Sequence, residues 1–276
     1  SVDDLVTAGV FCGRLRDRLA RSGRFPTSRT LYKHQRDAVE IANRRGGTRP
    51  VIAVGAGTGM GKTEAFLLPL LNELYSRPAS RPRDGVRAIV LYPMNALVND
   101  QVERLHGWLR GQSECRLFHF TGETPEDKRA ADGAGHPPFD DGSRIRTREE
   151  ARACPPDVLI TNYSMLEYML IRPQDAPFFG KDLGVLVLDE MHLYSGTLAT
   201  EIALLLRRVL LRCGRRPDEV LCLGASATLG GSLQEFGAAL FSRLPGDVHA
   251  LSGERAKPAL PALDPPGAPV GPEGVP

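Results

Sequence analysis

The residues with the clearest chemistry form a glycine-rich segment between the apolar run 51–54 and the helical pattern 62–75. Glycines let the chain turn so tightly that successive backbone N–H groups face phosphate oxygens, and the positive end of the next helix reinforces this. We therefore predict a nucleoside triphosphate site, in which Lys62 contacts the β- and γ-phosphates and Thr63 holds Mg²⁺. The segment consists of Ala56, Gly57, Thr58, Gly59, Met60, Gly61, Lys62 and Thr63, and Ala56 replaces the first glycine of the strict motif.

A pair of acidic residues follows the apolar run 185–188, about 130 residues after the lysine. Two carboxylates at the end of a buried strand can divide the work of hydrolysis. We predict that Asp189 holds Mg²⁺ and that Glu190 orients and deprotonates the attacking water. His192 lies two positions further on; it is either a structural polar residue or a contact that passes the nucleotide state onward.

Two weaker signals accompany these motifs. Ser226 and Thr228 end the strand pattern 220–224, where small hydroxyl residues can bridge the metal cluster and a neighbouring domain. Gln35 precedes the glycine-rich segment, and its amide can both donate to and accept from the edge of adenine. Taken alone, Ser-Ala-Thr is a common tripeptide, and Gln35 is equally well read as a surface residue of a helix.

The elements that must position these residues alternate between strand and helix. Continuous apolar strands alternating with helices indicate a mostly parallel sheet with helices on both faces, in which ligands bind at the carboxyl ends of the strands. The predicted strands are 51–54, 86–92, 115–120, 157–161, 185–188 and 220–224, and the predicted helices are 5–22, 30–43, 62–75, 95–109, 164–171, 197–212 and 232–244.

Composition narrows the class of protein. The share of apolar residues is 42% and the net charge is +2, which is typical of a globular domain and does not by itself indicate a nucleic-acid binder. No stretch reaches the apolar length that a membrane span needs, and five scattered cysteines without metal-ligand spacing favour a reduced, cytoplasmic protein. We predict an N-terminal helical extension (1–29), an ATP-binding domain (30–256) with a surface insertion (123–156), and a proline-rich tail (257–276).

Taken together, the order and spacing of these motifs resemble the superfamily 2 helicases of the DExH type. The segments 92–101, 144–150, 155–157, 161–169 and 188–194 are similar to large bacterial helicases with a C-terminal four-cysteine module, including DNA-repair, DISARM and Druantia anti-phage types. The resemblance covers about residues 30–256. It implies a RecA-like P-loop NTPase fold, the cofactors ATP and Mg²⁺, and single-stranded or duplex nucleic acid, with DNA favoured, as partner.

The resemblance also implies a row of strand-binding residues after successive strands. Short polar side chains and free N–H groups there can hold phosphates without reading bases. Such binding would be insensitive to sequence and weakened by salt. The implied residues are Pro93, Asn95, Gln101, Thr121, Gly122, Thr161 and Asn162.

The sequence departs from the family pattern in two respects. Met191 stands where alanine is usual between the glutamate and the histidine. A second RecA-like domain, which would supply arginine fingers, is expected outside this chain, which begins at Ser1 and reads as a piece of a longer helicase.

Three functions remain open at this point. The first is a motor half that hydrolyses ATP only with its second domain, and the second is a nucleotide-gated clamp that binds both ligands without turnover. The third, a P-loop NTPase unrelated to nucleic acid, is disfavoured by the segments 92–101 and 226–228.

Overall fold

The computed structural model describes residues 1–44, 46–57, 59–77, 83–93, 95–111, 114–134, 142–227 and 232–253, with side chains omitted for 95–100. Seven strands form one sheet in the order β3-β4-β2-β5-β6-β1-β7, and every pairing is parallel. The strands are β1 Val51–Ala56, β2 Ala88–Tyr92, β3 Leu117–Phe120, β4 Val158–Asn162, β5 Val185–Leu188, β6 Leu221–Ser226 and β7 Val248–Gly253.

Helices cover both faces of the sheet, as the sequence predicts for a RecA-like α/β domain. They are α1 Val2–Thr7, α2 Gly13–Ser22, α3 Lys33–Ala42, α4 Lys62–Ser76, α5 Asn95–Leu109, α6 Lys128–Gly133, α7 Arg148–Ala153, α8 Tyr163–Ile171, α9 Thr197–Arg212 and α10 Leu233–Phe241. Alternate residues of each strand face opposite sides, so Ile52 and Val54 pack with α1 to α5, while Val51 and Ala53 pack with α8 to α10. Within the described ranges, no helix has the length and apolar character needed to cross a membrane.

Parallel pairing places the carboxyl ends of all the described strands at one edge of the sheet. The strand order then divides this edge into two halves. The predicted nucleotide residues follow β1, β5 and β6, which are neighbours, whereas the predicted strand-binding residues follow β2, β3 and β4. The two functions therefore meet at the boundary between β5 and β2.

Three sequence predictions about the elements were wrong in detail. The helix predicted over 5–22 is two helices, α1 and α2, because the chain turns at Gly9, whose φ is +71°. The second helix begins at Lys33 rather than at Thr30. The strand β7 was missed because it is an edge strand with an alternating pattern of burial, unlike the continuous apolar runs of the central strands.

The buried side chain of Asn72 in α4 joins the N-terminal helices to the domain through two hydrogen bonds. Its Nδ2 donates to the carbonyl of Val10 at 3.0 Å, and its Oδ1 accepts from the backbone N–H of Cys12 at 2.8 Å. Arg14 of α2 adds a hydrogen bond to the carbonyl of Tyr75 at 2.7 Å. The residues of the extension therefore belong to the same hydrophobic core as those of α4.

We expect Asn72→Ala to lower the free energy of unfolding by about 1–3 kcal/mol, because two part-buried backbone groups lose their partner. Urea unfolding of the chain would measure this, and limited proteolysis should cut between α1 and α2 more readily. Asn43→Ala is the matched control, since Asn43 is half-buried and its side chain has no hydrogen bond in the described part of the chain. Equal stability of the two variants would contradict the anchoring role.

Candidate active site

The glycine-rich segment forms the connection between β1 and α4. Ala56 is the last residue of β1, and Gly61 caps the helix that begins at Lys62. Gly59 and Gly61 have φ values of +78° and +69°, which only glycine adopts readily. A Cβ at Gly61 would also lie 2.2 Å from Nε2 of Gln35. Both the backbone conformation and the lack of space therefore exclude a side chain at this position. Thr58 lies outside the described residues.

The structure brings the lysine of this loop to the second acidic residue. Nζ of Lys62 lies 3.4 Å from both carboxylate oxygens of Glu190. Lys62 begins the helix after β1 and Glu190 follows β5. Because β6 lies between these two strands, the contact spans the carboxyl end of one intervening strand. Their side chains are only 12% and 25% exposed, which strengthens the attraction between them relative to a surface pair.

In the acidic pair, Glu190 has an unusual backbone conformation and Asp189 has a raised pKa. Glu190 has φ +46° and ψ +47°, a left-handed conformation that costs energy in a residue with a side chain. Oδ1 of Asp189 accepts the N–H of Glu190 at 2.8 Å. Burial raises the pKa of Asp189 to about 6, partly opposed by that hydrogen bond. Strained backbone and a perturbed carboxyl are typical of functional sites.

The shifted pKa predicts how Asp189→Asn changes stability in the absence of metal and nucleotide. Folding raises this pKa above its ordinary value of 3.8, so ionisation disfavours the folded state as pH rises from about 4 to 6. The variant, whose amide does not ionise, should therefore gain stability relative to the wild type across that window. We expect a relative gain of about 2–3 kcal/mol at pH 7.

Thermal unfolding of both proteins between pH 4 and pH 8 in EDTA would measure the difference. Asp37→Asn, at a half-buried position on α3, serves as the control. A difference between wild type and Asp189→Asn that is the same at every pH would rule out the raised pKa.

The histidine of the acidic motif connects β5 to β6. Nδ1 of His192 lies 3.3 Å from the backbone nitrogen of Ala227 and 3.3 Å from Oε2 of Glu190. A neutral Nδ1 accepts from Ala227, whereas a protonated Nδ1 donates to Glu190, so the proton selects the partner. Ser226 is fully buried, and its Oγ has no partner in the described part of the structure. Thr228 lies outside the described residues.

The side chain of Met191 packs against β6. Its side chain is fully buried, and a Cβ at Gly224 would lie 2.3 Å from its sulfur. Gly224 therefore compensates for the longer side chain that replaces alanine in this motif.

Gln35 is a buried residue of α3 rather than a surface residue. Its Nε2 donates to the carbonyl of Gly61 at 3.0 Å, and its Oε1 accepts the N–H of Tyr32 at 3.0 Å. Both ends of the amide are thus bonded within the chain, directly behind the glycine-rich segment. The side chain joins α3 to the loop, and one N–H of the amide remains for another acceptor.

The implied strand-binding residues fall into three groups. Pro93, Thr121, Gly122 and Asn162 lie at the carboxyl edge, and Asn162 caps α8 by accepting the N–H of Met165 at 2.8 Å. Thr161 is fully buried and donates to the carbonyl of Phe120 at 2.7 Å, so its hydroxyl joins β4 to β3 and does not reach the surface. Gln101 lines the same cavity as Lys62. Asn95 begins α5, but its side chain is outside the described part.

A cavity of about 560 Å³ opens between these elements at the nucleotide half of the edge. It is lined by Lys62, Thr63, Glu190 and His192, as the sequence predicts for neighbours of a triphosphate. Sequence reasoning missed five other residues that line it, namely Arg29, Glu64, Arg104, Leu193 and Ala227. Leu193 and Ala227 lie within the segments 188–194 and 226–228 that the sequence analysis used. Glu64 directly follows the glycine-rich segment, and Arg104 lies three residues after Gln101 on a helix.

The residues present fit a magnesium ion. Mg²⁺ is usually held by one or two carboxylates with waters and substrate phosphates, rather than by a complete cage of side chains. Thr63 and Asp189 offer one hydroxyl and one carboxylate. The described residues hold no cluster of three or more His, Cys, Asp or Glu that would favour a different metal.

Comparison with known proteins identifies the family of this chain. Residues 32–236 match the model of the DEAD/DEAH box helicase family. The Druantia protein DruE of Escherichia coli (strain UMEA 4076-1) is 32% identical over an alignment that covers 72% of this chain and 16% of that protein. This chain therefore spans about one sixth of the length of that relative.

Solved structures agree on the fold. The DUF1998 helicase MrfA bound to DNA superposes with a TM-score of 0.62 at 21% identity, covering 88% of this chain and 30% of that one. The DEAD-box helicase Mss116 bound to ssRNA superposes with a TM-score of 0.66 at 20% identity, covering 93% of this chain and 46% of that one. The chain belongs to the DEAD/DEAH box helicases of superfamily 2, and it carries a first RecA-like domain of the DExH type.

Proposed function

We propose that this chain is the ATP- and Mg²⁺-binding half of a DNA-dependent helicase motor, which hydrolyses ATP efficiently only together with a second RecA-like domain. The observation that carries the proposal is the contact between Lys62 and Glu190, 3.4 Å apart at the rim of the cavity. A cation for phosphates and a carboxylate for water thus face one space.

The residues of the site divide the chemistry among them. In the absence of nucleotide, Lys62 and Glu190 neutralise each other. A triphosphate in the cavity would attract Lys62 to its oxygens, which frees the carboxylate of Glu190 to accept a proton from the attacking water. Thr63 and Asp189 would hold Mg²⁺, which offsets negative charge on the phosphates when bound. Buried backbone around Asp189 keeps its carboxylate in place.

The site also offers a route between the nucleotide and the rest of the motor. His192 meets the backbone of Ala227, directly after the buried Ser226 at the end of β6. Movement of Glu190 toward or away from Nδ1 of His192 would change which partner that nitrogen contacts. We propose that His192, Ser226 and Thr228 pass the nucleotide state toward the second domain by this change.

DNA is proposed as the partner on two grounds. The sequence resembles the Druantia and DNA-repair helicases, and the structure of MrfA that shares this fold holds DNA. The polar carboxyl edge beyond β2, β3 and β4 can contact a phosphate backbone through Gly122, Asn162 and neighbouring N–H groups. The fold alone does not select DNA, because Mss116 holds ssRNA on the same architecture.

We expect the isolated chain to bind Mg·ATP weakly, to hydrolyse it slowly and to unwind no duplex. Its second domain would supply the arginine fingers, which are worth roughly 10³–10⁵ in rate in comparable NTPases. The test measures ATP turnover of this chain, and of the longer gene product, with single-stranded DNA, duplex DNA and RNA.

The outcomes of that test distinguish DNA from RNA, a one-domain from a two-domain motor, and ATP turnover from nucleotide binding alone. Stimulation of the longer product by DNA, with little from RNA, supports the proposal, and the reverse order would replace DNA with RNA. Duplex unwinding by this chain alone would overturn the need for a second domain. Nucleotide binding without turnover in both proteins would instead indicate the nucleotide-gated clamp.

A further inference from the structure

An ion pair outside the predicted motifs lies in the wall of the nucleotide cavity. Arg104 of α5 contacts Oε1 of Glu64, two residues after Lys62 in the first turn of α4. The Glu64 side chain is 6% exposed and the Arg104 side chain is 42% exposed. The buried end of the pair is therefore fixed beside the phosphate loop, and its exposed end is the guanidinium.

The position of the pair sets it apart from the other ion pairs of the domain. Both residues line the nucleotide cavity, and both also line an adjoining cavity of about 380 Å³ on the side of the N-terminal extension. Arg104 thus lies in the wall between the two spaces. Gln101, one helical turn earlier on α5, faces the nucleotide cavity as well, and its buried Oε1 has no hydrogen-bond partner in the described part of the chain.

Only part of the hydrogen-bonding capacity of Arg104 is used. Nη2 contacts Glu64, and among the described residues the other N–H groups of the guanidinium have no acceptor. A guanidinium has five N–H donors in a fixed plane, so it can hold a carboxylate with one edge and a phosphate with another. If Arg104 keeps its contact with Glu64 while it binds a phosphate, the buried carboxylate is not left without its cation. Loss of that cation would be strongly unfavourable.

We propose that Arg104 is a phosphate-binding residue of the nucleotide site, positioned by Glu64. Through this contact, binding of the triphosphate would stabilise α5. This inference rests on the proposed nucleotide site and adds a residue to it. The helix gives the contact a consequence, because α5 begins at Asn95, in the segment proposed to hold the nucleic-acid strand. A triphosphate that draws Arg104 inward acts directly on that helix.

The first experiment compares nucleotide affinities of the whole chain by titration calorimetry with Mg²⁺ and AMP-PNP, ADP or AMP. We expect Arg104→Ala to weaken AMP-PNP binding roughly 10-fold, ADP binding less and AMP binding little, because one charge-assisted hydrogen bond to phosphate is lost. Arg110→Ala is the matched control: Arg110 follows the same helix and lines only the adjoining cavity. Equal affinities of Arg104→Ala and Arg110→Ala would overturn the inference.

A double-mutant cycle with Glu64→Gln tests the positioning role. The single variant should weaken AMP-PNP binding roughly 3-fold, because its amide holds the guanidinium less firmly than a carboxylate does. In the Arg104→Ala background the same change should be neutral or favourable, since it then only removes a negative charge from the cavity. Weakening of the same size in both backgrounds would make Glu64 a structural residue and end this part of the inference.

A third readout does not depend on affinity. Hydrogen exchange of α5 (95–109) should slow when AMP-PNP saturates the wild type or Arg110→Ala, and should be unchanged in saturated Arg104→Ala. Protection of α5 in all three proteins would overturn the link to the helix. Loss of nucleotide binding in Lys62→Ala, with no effect of Arg104→Ala, would refute this inference alone. A wild-type chain that binds no nucleotide would overturn it together with the proposed function.

Discussion

Replacing Glu190 with glutamine is expected to leave ATP binding intact and to lower ATP turnover of the proposed two-domain helicase by at least about 100-fold. The amide is nearly the same size as the carboxylate but does not accept a proton from the attacking water. It also carries no charge, so Lys62, which lies 3.4 Å from the carboxylate in this structure, loses a competitor for the phosphates. Nucleotide affinity should therefore stay level or rise slightly.

Turnover is measured with DNA present, and affinity is measured separately with AMP-PNP. Glu167→Gln is the control, because Glu167 is an exposed residue of α8 that pairs with Arg208 at 2.8 Å, away from the cavity. Turnover at the wild-type rate in Glu190→Gln would assign the base to another group. His192 is the next side chain to examine, since its Nδ1 lies 3.3 Å from the same carboxylate.

Replacing Lys62 with alanine should remove measurable nucleotide binding without unfolding the chain. The lysine is the first residue of α4 and supplies the positive charge that points at the cavity. We expect at least roughly a 100-fold loss of affinity for ATP, because a charge-assisted contact to phosphate in a partly desolvated site is lost. The fold should survive, since Lys62 is not part of the hydrophobic core and alanine favours helix.

Calorimetry with Mg·AMP-PNP measures the loss, and circular dichroism with thermal unfolding checks the fold. Lys181→Ala provides the comparison, because Lys181 is exposed and lies before β5, at the opposite end of the strands from the cavity. Wild-type affinity in Lys62→Ala would mean that the glycine-rich loop is not the phosphate site. Unfolding of Lys62→Ala would be judged against Lys62→Gln, which keeps the length of the side chain and removes its charge.

The local chemistry of this protein was readable from its sequence. The tight turn before Lys62 depends on glycines that are adjacent in the chain, and the acidic pair depends on its place directly after an apolar strand. Both features are set by neighbouring residues, so spacing alone predicted them. The alternation of apolar runs and helical patterns predicted the parallel sheet for the same reason.

Sequence reasoning failed where the outcome depended on packing between distant segments. Thr161 carries a hydroxyl that reads as a strand contact, yet the neighbouring β3 takes that hydroxyl and buries it. The sequence allowed Gln35 to be either an adenine contact or a surface residue. In the structure its side chain is bonded to the glycine-rich segment, because α3 lies against that segment. In the edge strand β7 only one of six residues is buried, so its pattern lacks the continuous apolar run of a central strand.

What the sequence by itself determined is therefore the set of candidate reacting groups: a glycine-rich loop, a lysine, a hydroxyl and two carboxylates. The tertiary structure decided which groups meet. Strand order places β5, β6 and β1 side by side, and this brings Glu190 to Lys62, Met191 to Gly224 and His192 to Ala227. Helix packing alone brings Arg104 to Glu64. Spacing along the chain encodes local backbone geometry, whereas contact between distant side chains depends on the strand order and packing that the whole core selects.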